Sequence, residues 1–228
     1  MKRLLLITTS VLALISSESI AQTDSSAFQV YANPLSFAQT PVTSALSLND
    51  FTLESWIYVP GTANPNTEKH VIETYGGSGT GGYVLRVSTI GTIKAWVMGG
   101  NGQFQLTGTS PVPMDQWVHI SCTYNSTEDS LKVFLYGLQD NQTSVATTVA
   151  TTFPSNLKIG ARGDDSNIND DILIDEVRIW NYAKTGAEIS AGMDACYDGT
   201  ENGLVLYYDF ENETGSTVTV DPVSFSKS

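Results

Sequence analysis

The sequence predicts an all-β fold, a sandwich or a barrel, on three observations. Nine short runs are rich in Val, Ile, Leu, Tyr, Phe and Trp. Clusters of Gly, Pro, Asn, Asp and Ser separate them at fairly even spacing, the pattern of sandwiches and barrels. No stretch carries an internal repeat, a heptad pattern or a long helical period.

Taken in order, the chain opens with MKRLLLITTSVLALISSESIAQ. Lys2 and Arg3 form a basic start, Leu4 to Ile15 an apolar run, and Ser19-Ile20-Ala21 a small-x-small site. That is the layout of a secretory signal peptide cleaved near Ala21, and the run is shorter than the ~20 residues a membrane span needs. The expected boundaries are a signal peptide over 1–21, a flexible lead over 22–30, one β domain over 31–222 and a frayed tail over 223–228.

Within the domain, FTLESWIYV (51–59) alternates. Phe51, Leu53, Ser55 and Ile57 share one face; Thr52, Glu54, Trp56 and Tyr58 share the other. GYVLRVST, IKAWVM and QFQLTG follow, with GGSGTGG (76–82) read as a flexible hairpin connection. In QWVHISCTY (116–124), Val118, Ile120, Cys122 and Tyr124 oppose Trp117, His119, Ser121 and Thr123. SLKVFLYG and LKIGA lead to ILIDEVRIWN (172–181), where strict alternation groups Leu173, Asp175, Val177 and Ile179 against Ile174, Glu176, Arg178 and Trp180. A helical turn is expected over Thr185 to Met193, and GLVLYYDF completes the set.

Cleavage after Ala21 leaves 207 residues with 9 basic against 23 acidic side chains. Such a surface repels phosphate backbones and anionic membranes, which argues against nucleic-acid and lipid partners, and no later segment is long and apolar enough to predict membrane insertion. It suits a divalent cation. Cys122 and Cys196 sit neither beside a His nor in a CxxC pattern. In an oxidising compartment one disulfide between them is expected, with two buried free thiols as the alternative.

The alternation of ILIDEVRIW raises the sharpest question, because it puts Asp175 among the most apolar residues. A bare carboxylate costs several kcal/mol to bury, so it must be protonated, hydrogen-bonded or on a metal. Just upstream, Asp165, Asn167, Asn169 and Glu176 fit EF-hand loop positions 1, 3, 5 and 12. Asp170 stands where that loop needs Gly, and the flanks read as strands, so a looser calcium site using Asp165, Asn167 and Asp170 is the expectation, against a solvated hairpin tip.

Seven segments, NPLSF, DFTLESWIYVPG, DQWVHISCTYN, LKVFLYG, LKIGA, ILIDEVRIWNYAKTGAEI and ENGLVLYYDFENETGS, occur in an order that resembles a known family. It is the LamG-like jelly-roll domain of the concanavalin A-like lectin/glucanase superfamily, in its pentraxin-like branch. The resemblance implies a two-sheet antiparallel jelly-roll sandwich with a groove, binding glycans or proteins and carrying structural calcium (Ca2+). It also implies that Asp175 ligates that calcium. Two departures stand out: LSFAQTP lacks the Asp-Gly many members carry, and Ser55 replaces the Cys that pairs in pentraxins with the one at Cys122.

Trp56, Trp96, Trp117, Trp180, Tyr58 and Tyr83 suggest a sugar platform, because aromatic rings stack on the C–H faces of pyranoses. Of these, Trp56, Trp96 and Trp180, with His119 and Arg178, are the candidate ligand contacts; for any single Trp a packing role is the stronger reading. The superfamily's glucanase motif Glu-x-Asp-x-x-Glu does not occur, and IDEVR carries its carboxylates adjacent. Arg162-Gly163-Asp164 and the sequons at Asn125, Asn141 and Asn212 are weak signals. The expectation is a secreted, extracellular or periplasmic, non-catalytic, calcium-stabilised module whose partner is a carbohydrate or an extracellular protein. The alternatives are an adhesive surface protein, or a glycan-active enzyme using Glu54 or His119.

Overall fold

A computed structural model describes residues 27–30, 37–74, 82–149, 156–163 and 172–210. The strands in its first half are β1 (Phe28–Val30), β2 (Ala38–Thr40), β3 (Phe51–Tyr58), β4 (Lys69–Glu73), β5 (Gly82–Val87), β6 (Thr92–Gly99) and β7 (Gly102–Pro111). Then come β8 (Trp117–Asn125), β9 (Ser130–Leu135), β10 (Leu138–Ser144), β11 (Leu157–Ile159) and β12 (Ile172–Trp180). A short helix, α1 (Gly186–Gly192), and β13 (Leu204–Tyr208) close the series. The signal peptide, the 76–81 part of the Gly-rich run, Asp164, Asn212 and the tail lie outside the described residues.

Every pairing is antiparallel, and the strands form two sheets. The first runs β1-β12-β3-β8-β9-β10, with β13 also on β12; the second runs β2-β11-β4-β5-β6-β7. This is the jelly-roll sandwich of the concanavalin A-like type that the resemblance implies. Four strands were not foreseen: β1, which lies inside the expected flexible lead, β2, β4 and β10.

Between the sheets, Leu53, Ile57, Val118, Ile120, Cys122 and Val133 meet Tyr83, Leu85, Ala95, Val97 and Leu157, all fully buried. Burying one such aliphatic side chain contributes roughly 1.5–3 kcal/mol. The predicted inward faces of β3 and β8 are therefore correct. That of β12 is not. There the core takes Ile172, Ile174, Val177 and Ile179, because the register slips by one residue. Asp175 lies opposite Trp56 and Arg178 opposite Glu54, so Glu176 and Val177 together face Ser55. Glu176 takes the left-handed φ of 50° that lets the strand bulge. Leu173 and Asp175 consequently lie on the outer face, opposite the core.

The predicted disulfide is also overturned, since both cysteines are free. Cys122 points into the core, whereas Cys196 is exposed in the α1–β13 segment on the far side of the same sheet. A layer of backbone separates the two thiols. Burial raises the Cys122 thiol far above its ordinary range.

At one edge the sheets are stitched by β10 and β7. The Asp140 carboxylate accepts from the Thr109 and Ser110 amides at 2.8 and 2.9 Å, and Asn141 Nδ2 donates to the Thr107 carbonyl at 2.8 Å. A Cβ on Gly108 would fall 2.3 Å from Asp140 Oδ2, so glycine is required for this approach. Partial burial alone would raise the Asp140 carboxyl, but the Ser110 and Thr109 donors outweigh it and hold the group below the usual carboxylate range.

Two outcomes follow. Thiol titration should find two reactive groups in the unfolded chain and one, Cys196, in the native chain. Asp140→Ala should lower the urea midpoint at pH 7. Because the folded-state value is depressed, the wild-type advantage is present above the unfolded value near ~4 and fades as pH falls through the folded one; a difference independent of pH would contradict this role.

Candidate functional site

Most of the predicted contact residues do come together, on the outer face of the first sheet. Pairing aligns Trp56 with His119, Glu54 with Ser121 and Arg178, and Thr52 with Trp180. They do not line an open groove. The segment following β12, with α1 in it, folds back over them and leaves Glu54, His119, Arg178 and Trp180 no more than 3% exposed.

Local chemistry explains that fold-back. Thr185 opens α1 with a capping box, in which the Glu188 amide donates to Thr185 Oγ1 at 3.2 Å and the Thr185 amide to Glu188 Oε2 at 2.7 Å. The other helix end needs partners for its last carbonyls. Arg178 supplies them, donating to the Gly192, Met193 and Ala195 carbonyls at 3.0, 3.2 and 3.0 Å. Trp56 Nε1 also donates to the Met193 carbonyl, at 2.9 Å. Arg178 and Trp56 thus clamp the helix, a structural role.

Charges beneath the helix are paired. Glu54 Oε1 accepts from Trp180 Nε1 at 2.6 Å and from Lys184 Nζ at 3.0 Å. The Lys184 ammonium also lies 4.0 Å from the Trp180 ring centre. Glu176 pairs with Arg178 and accepts from the Tyr207 hydroxyl at 2.9 and 2.8 Å. Burial, and then the Glu176 carboxylate, raise that hydroxyl strongly. His119 is fully buried, and neither ring nitrogen meets a hydrogen-bond partner among the described residues; Nε2 lies 3.8 Å from Glu54 Oε2. Burial, with the nearby Arg178 and Lys184 charges, pushes its pKa down to about 3. The imidazole is neutral at working pH.

Trp96 does not join this group. It lies on the outer face of the second sheet, 4.2 Å from the Arg86 guanidinium and 5.1 Å from Lys94 Nζ. Arg86 stands between two carboxylates, Glu68 at 2.5 Å and Glu73 at 2.9 Å, and Glu73 also meets His70 Nδ1 at 2.7 Å. Burial alone would raise the Glu68 carboxyl; Lys94 and Arg86 reverse that and hold it below its usual range.

Of the predicted metal ligands only Asp175 is described. Asp165, Asn167 and Asp170 lie outside the described residues. Asp175 sits in the bulge, 7% exposed, and its Oδ1 accepts from the Glu176 amide at 2.7 Å. Among the described residues, no three His, Cys, Asp or Glu side chains are grouped to hold an ion.

The exposed apolar side chains concentrate elsewhere. Ile90, Met114, Trp117 and Leu138 are the exposed large hydrophobics among the described residues. Strand pairing puts all four at the end of the sandwich where β3, β5, β7 and β9 finish and β8 begins. A recess of about 340 Å³ opens there, walled by Val59, Pro65, Val87, Ile90, Pro111 and Met114. Trp117, 37% exposed, meets Tyr58 edge to face at 6.0 Å. Tyr83, in contrast, is core, its hydroxyl on the Leu46 carbonyl. The sign that favours Trp117 is its place at the first residue of β8, beyond the reach of the covering helix.

Comparison with known proteins agrees with this architecture. The family model described as concanavalin A-like lectin/glucanases superfamily matches residues 35–190. Among solved structures, a provisionally assigned carbohydrate binding protein from Bacteroides ovatus is 18% identical with a TM-score of 0.60, covering 78% of this chain and 51% of its own. The CBM40 of the Ruminococcus gnavus IT-sialidase, bound to α2,3-sialyllactose, is 11% identical with a TM-score of 0.55, covering 72% and 97%. A heptameric SAP-like pentraxin from Limulus polyphemus is 12% identical with a TM-score of 0.51, covering 72% and 78%. This chain spans about half the length of the Bacteroides ovatus protein. No curated protein matches the sequence.

The pairing under α1 is open to test. Lys184→Met removes the cation from buried Glu54 and should cost about 3 kcal/mol in urea unfolding. Adding Glu54→Gln should recover much of that loss; a Lys184→Met chain of wild-type stability would contradict the pairing.

Proposed function

Because this chain belongs to the concanavalin A-like lectin/glucanases superfamily, we propose that it acts outside the cytoplasm as a non-catalytic, calcium-stabilised module that binds carbohydrate. One observation carries the binding reading: the exposed apolar side chains gather at one end of a strongly acidic chain. Meanwhile Glu54, Glu73 and Glu176 are tied to Lys184, Arg86 and Arg178. Retaining hydrolysis needs two carboxyl groups facing substrate, and these three are committed to neighbouring cations instead. The carbohydrate-binding relatives support glycan as the partner. The apolar recess beside Ile90 and Met114 supports a second reading, an extracellular protein partner. The apolar run Leu4–Ile15 behind Lys2 and Arg3 supports secretion.

For calcium, Asp175 is the one predicted ligand whose surroundings are described, and it fits as an outer-face carboxylate on the bulge. Asp165, Asn167 and Asp170, from the segment leading into β12, would supply further oxygens, the donor type a hard cation takes.

Two measurements test the proposal. Incubated with soluble polysaccharides, the protein should bind without releasing reducing ends; steady release of reducing ends would make it an enzyme. Thermal melts in calcium and in chelator should differ, a ligand at 100 times its Kd adding about 2.7 kcal/mol. The difference should vanish in Asp175→Ala. Identical melts for the wild type would remove calcium from the account.

A further inference from the structure

We propose that Leu173, Tyr58 and Trp117 form a stacking shelf for an uncharged pyranose, with Tyr136 as the residue that positions it. This inference rests on the carbohydrate-binding reading above and names the surface that does the binding.

Pairing puts Leu173 opposite Tyr58 and Tyr58 opposite Trp117, so the three side chains stand in one row across β12, β3 and β8. The neighbouring row is Asp175, Trp56 and His119. The cover stops at this second row, where Trp56 Nε1 holds the Met193 carbonyl. The first row stays open: Trp117 is exposed, and Tyr58 and Leu173 are half-buried.

A shelf that binds must also be rigid, and here the sequence accepts a local cost to make it so. Tyr136 and Gly137 are the central residues of the β9–β10 hairpin turn, with φ of 51° and 72°. Asn-Gly is the preferred pair for such a turn, and a left-handed backbone is unfavourable for most other residues. Tyr136 holds the position while its hydroxyl donates to the Trp117 carbonyl at 3.0 Å. Its ring meets Trp56 edge to face at 6.1 Å. The turn is thus built to fix the backbone under Trp117 and the ring beside it, beyond what closing a hairpin requires.

Charge selects the sugar. Beside the shelf stands the exposed Asp115, two residues before Trp117, and the chain carries a formal charge of −13. Carboxylates accept hydrogen bonds from sugar hydroxyls and repel uronic, sialylated and sulfated rings. The geometry and charge together select neutral glycans.

Native gel electrophoresis of the full chain through neutral polymers (mixed-linkage β-glucan, xylan, galactomannan, dextran) and anionic ones (polygalacturonate, hyaluronan) tests the shelf. At least one neutral polymer should retard the wild type and shield Trp117 from acrylamide quenching. Trp117→Ala should weaken that retardation at least ~10-fold, and Trp117→Phe should keep most of it. Tyr136→Asn suits the turn better, so its melting temperature should hold or rise while binding falls severalfold; a residue that only closes the hairpin would not split the two readouts. Undiminished retardation of folded Trp117→Ala and Tyr58→Ala would overturn the shelf and leave the binding reading standing. Should Trp117→Ala not fold, unchanged quenching of the wild type in the bound state overturns the shelf in the same way. Retardation by anionic polymers alone also overturns it, and no retardation by any polymer overturns both readings.

Discussion

One extra residue in β12 governs how the first sheet meets everything around it. Without the bulge at Glu176, strict alternation would send Arg178 and Trp180 to one face with Glu176 and Ile174, and Asp175 into the core. With it, Val177 and Ile179 stay inside while Arg178, Trp180 and Asp175 turn outward. The left-handed backbone at Glu176 costs on the order of 1–2 kcal/mol. Its carboxylate, held by Arg178 and the Tyr207 hydroxyl, offsets that cost. Arg178 in turn closes the open end of α1, so the bulge, the ion pair and the helical cover form one connected device. The bulge also falls where β1, paired with Ile172–Ile174, gives way to β13, paired with Val177–Trp180, along the same edge.

The sequence was legible wherever period two ran unbroken. FTLESWIYV and QWVHISCTY placed every inward residue correctly, because β3 and β8 pair without a slip over eight positions. ILIDEVRIW failed at the bulge, since no residue type announces a left-handed glutamate. KHVIE and LQDNQTS were overlooked for a different reason. The outward residues of β4 are charged because they join the Arg86 network, and β10 is a polar edge strand whose Asp140 and Asn141 bond to β7, so neither displays an apolar stripe. The candidate site was half legible. Alternation collected Trp56, His119, Arg178 and Trp180 on one face, but it says nothing about what folds over that face, and the direction in which the segment after β12 turns back is set by tertiary contacts.

The two outer faces carry buried ion pairs that the core does not need for cohesion. Removing one partner from such a pair strands a charge in a low-dielectric site, whereas a matched apolar replacement of both is often tolerated. Their arrangement therefore reads as a device for fixing geometry. Glu54 with Lys184 and Trp180 sets the path of the chain leaving β12, and Arg178 sets where α1 ends. That end point decides which outer-face residues are covered and which, like Trp117 and Tyr58, remain open to a ligand.

The coupling of the bulge to its ion pair is the claim on which this account rests. A double-mutant cycle of Glu176→Gln and Arg178→Met, followed by urea unfolding, measures it directly. Two costly single substitutions and a coupling of at least about 2 kcal/mol between them are expected. Losses that simply add would contradict it, and would mean that the bulge and the helical cover are held independently.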